Sequence, residues 1–104
     1  MPGAQGHPFT VRQLPSVNEQ VRSLARRAKA KGVGKKYLAA LKEVHRRAGN
    51  DPFAWGDPLF PTQHEGGLVC RGICQPLVVH FVVFEDEAVV YLLDVAAYPG
   101  SPIA

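Results

Sequence analysis

The chain has 104 residues, a mass of 11.3 kDa and a formal net charge of +3, with 46% hydrophobic and 20% charged residues. This length suits one domain, and this apolar content excludes wholesale disorder. The longest apolar run, residues 77–84, is broken by His80 and is far too short to cross a bilayer.

Residues 1–7 read as a flexible tail, and residues 8–104 as a single domain. The tail has neither a basic start nor an apolar stretch, so no signal peptide is expected. Cys70 and Cys74 are the two cysteines of the chain and make no disulfide framework, so a reducing cytoplasm is the expected location.

From residue 8 to 14, Phe9, Val11 and Gln13 alternate with Thr10, Arg12 and Leu14, an imperfect strand pattern. Pro8 places that strand at a sheet edge, where a missing N–H is tolerated. Ser16 or Asn18 can cap a first helix, and Ser16 with Glu19 fits a capping box. Val17, Val21, Leu24, Ala25 and Ala28 form its apolar stripe, ending near Gly32. A second helix is expected over residues 35–48, with Leu38, Leu41, Val44 or His45, and Ala48 as its stripe. Residues 49–52, Gly-Asn-Asp-Pro, stop it. Two helices joined by three residues form a hairpin.

Residues 53–67 are rich in proline and glycine and read as irregular, with a short strand around Leu59 and Phe60. Trp55, Phe53 and Phe60 are expected to pin this segment by packing. Strands follow over residues 68–73, 77–84 and 88–95, joined by short turns as an antiparallel meander. The predicted fold class is α+β: a β-α-α-β-β-β order with an antiparallel sheet and a helix hairpin packed on one face. By simple alternation, Val78, Val82, Val90 and Leu92 share one face, and Leu77, Val79, Phe81, Tyr91 and Leu93 the other. One set meets the helices. The other needs a partner chain, a second copy of this chain, or the irregular segment.

The net charge hides two unlike halves. Residues 1–50 hold eleven Lys/Arg and two acids, Glu19 and Glu43, a net of +9. Residues 51–104 hold one basic residue, Arg71, and seven acids, a net of −6. The basic half suits a polyanion or an acidic protein, or else a solvated helix surface. Arg22, Arg26, Lys29, Lys35, Lys36, Lys42, Arg46 and Arg47 are the candidate nucleic-acid contacts, meeting phosphates without sequence preference.

The order of elements resembles the RelE/ParE superfamily of bacterial toxin–antitoxin toxins. Residues 14–21 (LPSVNEQV) look like the family's passage from first strand to first helix. Residues 42–47 (KEVHRR) and 50–52 (NDP) resemble the end of its second helix. Residues 67–73 (GLVCRGI) look like the next strand, with a basic residue in its middle. Residues 84–91 (FEDEAVVY) resemble the hairpin into the last strand. The resemblance implies a type II toxin, either a RelE-like endoribonuclease that cuts mRNA on the ribosome or a ParE-like inhibitor of DNA gyrase. It further implies a cognate antitoxin, here covering an apolar sheet face. Neither a cofactor nor a membrane is called for.

Arg71 matches the family's basic position on the middle strand and would hold the scissile phosphate. Tyr98 falls just past the last strand, near a position where RelE-like enzymes place a basic or aromatic functional residue. Residues 76–78, Pro-Leu-Val, stand where such a ribonuclease usually carries arginine. His80 interrupts an apolar strand, and Asp94 lies on the neighbouring one. A carboxylate orienting an imidazole makes a general acid or base, or simply a satisfied polar pair. Arg71, His80, Asp94 and Tyr98 are therefore the candidate catalytic set, provided His80 faces away from the helices.

Cys70 and Cys74 on one strand would stand roughly 13 Å apart, too far for a disulfide. With His64 and His80 they match no standard zinc spacing, so no metal is expected. Alternatives to a ribonuclease are a non-catalytic member of the same fold or a small structural interaction domain. If the helix cations meet RNA phosphates through six or more contacts, affinity falls about a thousandfold or more between about 50 and 200 mM salt. Filter binding across that range measures it, and salt-indifferent binding excludes the role.

Overall fold

The computed structural model describes residues 8–63 and 66–104. The expected tail with His7, and also His64, lie outside the described residues. Strand β1 (Thr10–Gln13) leads into helices α1 (Pro15–Ala30) and α2 (Gly34–Asn50) and a one-turn helix α3 (Pro52–Trp55). Strands β2 (Asp57–Pro61), β3 (Leu68–Cys74), β4 (Leu77–Phe84) and β5 (Val89–Ala97) follow.

The strands form one sheet in the order β1-β5-β4-β3-β2. The α+β arrangement with a helix hairpin is as expected, and β2 to β5 pair antiparallel. β1 instead pairs parallel with β5, so the sheet is mixed rather than antiparallel throughout. No short turn forces these two strands into opposite directions, because the helices and three other strands separate them. β1 and β2 are the edges. All of β2 is exposed, and its prolines, Pro58 and Pro61, blunt that edge against further pairing.

Helix α1 starts at Pro15, whose fixed φ suits a first helical position. No side chain caps it, so the Ser16 capping box does not form. Asn18 instead accepts a 2.7 Å hydrogen bond from Gln13, and Glu19 pairs with Arg22 at 2.7 Å. The buried stripe of α2 is Tyr37, Ala40, Val44 and Ala48. Leu38, expected in that stripe, is 54% exposed. Tyr37 takes its place because its hydroxyl can donate to the Val21 carbonyl at 2.8 Å, which satisfies the polar end of a buried ring. His45 is half-buried, with Nδ1 3.0 Å from the Leu41 carbonyl, as a packing residue would be.

The helices cover one face of the sheet. Leu77, Val79, Phe81 and Val83 of β4 are at most 1% exposed there. Trp55 completes this inner layer, stacking on Phe81 with ring centres 5.3 Å apart and planes 3° from parallel. Its indole nitrogen donates to the Ile73 carbonyl at 3.1 Å. Phe53 meets Phe9 edge to face at 6.4 Å. Phe60 is 56% exposed and pins nothing.

Register corrects the face assignment made by simple alternation. Val83 pairs with Val90, Phe81 with Leu92 and Val79 with Val95, all on the inner face. Val82 pairs with Tyr91 and His80 with Asp94, on the outer face. Val90 and Leu92 thus belong with Phe81, and Tyr91 with Val82. The cause is a bulge: the register shifts between His80 and Phe81, leaving Leu93 as an extra residue in β5.

Gly72 lies beneath the indole. A Cβ there would come 2.5 Å from Trp55 Cζ2. Gly72→Ala is expected to destabilise the fold by about 1–3 kcal/mol through overpacking. Urea unfolding followed by the fluorescence of Trp55, the single tryptophan, checks this.

Candidate functional site

Because β4 buries every second residue under the helices, His80 must face the other way. Its backbone pairs with Arg71 of β3 on one side and Asp94 of β5 on the other. Residues directly opposite in antiparallel strands project from the same face. Arg71, His80 and Asp94 therefore form one row across three adjacent strands, on the face without helices. His80 Nδ1 stands 3.6 Å from Asp94 Oδ2, with side chains 38% and 43% exposed. This is an ion-pair distance, longer than a hydrogen bond, and such contacts often tighten only when substrate binds.

The row opens into a cleft of about 450 Å³ lined by Arg71, Ile73, Val78, His80, Tyr98 and Pro99. The sequence-predicted set thus comes together: Arg71, His80 and Tyr98 line the cleft, and Asp94 stands behind His80. Tyr98 is half-buried just past β5, and its backbone N–H donates to the Pro76 carbonyl at 2.7 Å. The following residues hold it there. Ser101 N–H donates to the Tyr98 carbonyl at 2.9 Å, and Arg27 donates to the Ile103 carbonyl at 2.7 Å. Ile103 is fully buried in the core.

Two residues escaped the sequence reading. Gln20 of α1 donates to Asp94 Oδ1 at 2.9 Å. Nothing in the sequence marks a helix glutamine as the neighbour of a residue 74 positions away. Arg12 pairs in register with Tyr91, which places it on the outer face too. Alternation along β1 could have shown this.

The candidate nucleic-acid residues Arg22, Arg26, Lys29, Lys35, Lys36, Lys42, Arg46 and Arg47 ride on helices packed against the inner face. The sheet therefore separates most of them from the cleft. Arg26 comes nearest, lining a groove of about 450 Å³ with Gln20, Val95 and Ala96. Several of these cations are already paired. Arg46 and Arg47 both clamp Glu43, at 2.5 and 2.8 Å.

Cys70 is buried and Cys74 half-buried, both free and both facing the helices. Burial pushes both thiols up, so neither is a nucleophile near neutral pH. Among the described residues, no three His, Cys, Asp or Glu side chains cluster as metal ligands would. Among them, too, no helix is long and apolar enough to cross a membrane.

Comparison with solved structures shows that the chain has a RelE/ParE-like fold. It is similar to a chain of the archaeal RelE–RelB complex from Pyrococcus horikoshii OT3, with a TM-score of 0.62 and 16% identity. The match covers 90% of this chain and 99% of that one. No family model and no curated protein sequence matches.

The Glu43 clamp gives an acid signature. Hydrogen bonds from Arg46 and then Arg47 lower its pKa from 4.5 to about 2. A carboxyl depressed on folding stabilises the protein above its ordinary value, and that contribution is lost as pH falls through the folded value. Glu43→Gln is therefore expected to flatten the stability profile between about pH 4.5 and pH 2. Thermal melts of both proteins across that window measure it.

Proposed function

We propose that this chain is the toxin of a toxin–antitoxin pair and that it cleaves RNA with the outer face of its sheet. The observation that carries this reading is the Arg71–His80–Asp94 row, in direct register and opening into a cleft walled by Tyr98. RNA supplies its own nucleophile. His80 takes the proton of a 2′-hydroxyl, and the 2′-oxygen attacks the adjacent phosphorus. The bond from phosphorus to the 5′-oxygen breaks, leaving a 2′,3′-cyclic phosphate and a 5′-hydroxyl. Tyr98 supplies the proton to the departing oxygen. Arg71 stabilises the charge on the phosphoryl oxygens, and Asp94 orients and supports the imidazolium.

The helix cations extend this reading. They suit contact with ribosomal RNA on the far side of the sheet. The outer face also carries the exposed Ile73 and the half-buried Val78, Phe84 and Tyr91, an apolar surface suited to an antitoxin. The fold likeness to a chain of a RelE–RelB complex supports such a partner. A second copy of the chain would cover the same surface as a homodimer. The expected setting is a bacterial cytoplasm.

One observation favours a second reading, a non-catalytic member that inhibits DNA gyrase or binds another protein. Among the described strand residues, Arg12 and Arg71 are the cations of the outer face, set against Asp94 and against Asp57, which stands opposite Arg71. That is a small positive complement for a phosphodiester transition state.

Controlled expression in a bacterium separates these readings. Growth arrest with mRNA cleavage is expected, with cleavage by purified protein falling about a hundredfold or more in Arg71→Ala and His80→Ala. Arrest with DNA damage and intact mRNA identifies the gyrase reading. Absence of arrest leaves protein binding.

A further inference from the structure

We infer that Gln20 is a positioning residue that sets the state of His80 through Asp94. The inference rests on the proposed use of His80 as the proton carrier. Its starting point is the place where β1 ends. The β1–β5 register stops at Gln13 and Leu92, and the chain turns through Leu14 into α1 at Pro15. Beyond that point no described strand flanks β5 on this side, so the Val95 N–H needs another acceptor. Gln20, in the second turn of α1, supplies it, with Oε1 2.8 Å from Val95 N.

That hydrogen bond decides which way the amide points. A backbone N–H can only donate, so it must face the oxygen of Gln20. The amide nitrogen is then turned to Asp94, donating to Oδ1 at 2.9 Å. With Oδ1 held, Oδ2 is the atom left facing His80 Nδ1, at 3.6 Å. The bulge at Leu93 brings Asp94 into this position beside Val95. One glutamine thus ties the strand edge, the carboxylate and the imidazole into a chain of three contacts.

The chemical consequence is a choice of tautomer. A carboxylate facing Nδ1 favours the neutral imidazole that carries its proton there. Nε2 is then the unprotonated nitrogen. The other charged and titratable groups around His80 are Arg71 on β3 and Tyr98 at the end of β5. Around Gln20 the groove presents Glu19, Arg26 and Arg27 from α1 itself. Of all these groups, Asp94 is the acceptor aimed at Nδ1.

Two substitutions separate positioning from simple support of the strand. Gln20→Glu keeps an acceptor for Val95 N–H but replaces the donor to Asp94 by a second carboxylate. Gln20→Leu removes both. The readout is the pair of ring ¹⁵N shifts of His80 in the full chain, recorded by NMR above neutral pH, where an ordinary histidine is uncharged. Wild type is expected to show the Nδ1–H tautomer. Both variants are expected to lose that preference; Gln20→Glu is expected to keep the slow hydrogen exchange of the Val95 N–H, and Gln20→Leu to lose it. His80 shifts in Gln20→Glu that match wild type, or an Nε2–H tautomer in the wild type, would overturn the inference. Should Gln20→Leu fail to fold, Gln20→Glu decides alone. The ring measurement needs no RNA. Lack of cleavage by the wild type therefore ends the ribonuclease reading, while the ring shifts alone decide whether Gln20 positions His80.

Discussion

The burial of one face of β4 constrains everything else in the molecule. Leu77, Val79, Phe81 and Val83 are closed off beneath two helices and the Trp55 ring. With a side-chain period of two, the alternate residues have no choice of side. His80 is expelled to the opposite face by the apolar residues that flank it. The same alternation, carried into β3 through the pairing register, puts Arg71 beside it. The polar row therefore follows from the packing of the core.

A single extra residue completes the arrangement. With Leu93 counted, strict alternation along β5 would put Asp94 on the inner face with Leu92 and turn Val95 outward; the bulge absorbs Leu93 and so keeps Leu92 and Val95 inside together. A carboxylate forced into that apolar layer would lose its hydration. The bulge lets the valine and leucine stay buried while the carboxylate meets His80. Beyond the bulge, β5 has lost its β1 neighbour, and α1 makes up the deficit with Gln20. The segment after β5 then folds back so that Ile103 is buried and Arg27 holds its carbonyl. Tyr98 sits between these two anchored stretches, which gives the cleft its third wall.

Electrostatics divide the protein along the plane of the sheet. The helix hairpin carries most of the positive charge on the side away from the cleft, partly neutralised by Glu19 and Glu43. Several acids of the second half are placed at turns, as in the exposed run Glu85, Asp86 and Glu87 between β4 and β5. The outer face is thus nearer to neutral than either half of the sequence. Arg12 matters here, because it comes from the basic half and is delivered to the outer face by the parallel pairing of β1. In the proposed reading, polyanion contact on the helices and chemistry in the cleft are physically separate functions on opposite sides of one sheet.

The sequence by itself determined the helix hairpin and the order of β1, β3, β4 and β5, because hydrophobic period, turn residues and proline stops are local signals; it read residues 53–67 as irregular around a short strand, where the one-turn α3 and the edge strand β2 form. It also showed that His80 interrupts an apolar strand, whereas the candidacy of Arg71 and Tyr98 comes from the resemblance to the RelE/ParE superfamily. It misplaced Leu38 and the partners of Val90 and Leu92, since a one-residue change of phase is invisible until two surfaces are packed. Only the tertiary structure decided the parallel pairing of β1, the bulge at Leu93 and the reach of Gln20 to Asp94. Each of these depends on contacts between residues far apart in the chain, where register and burial choose among alternatives that local pattern leaves equal.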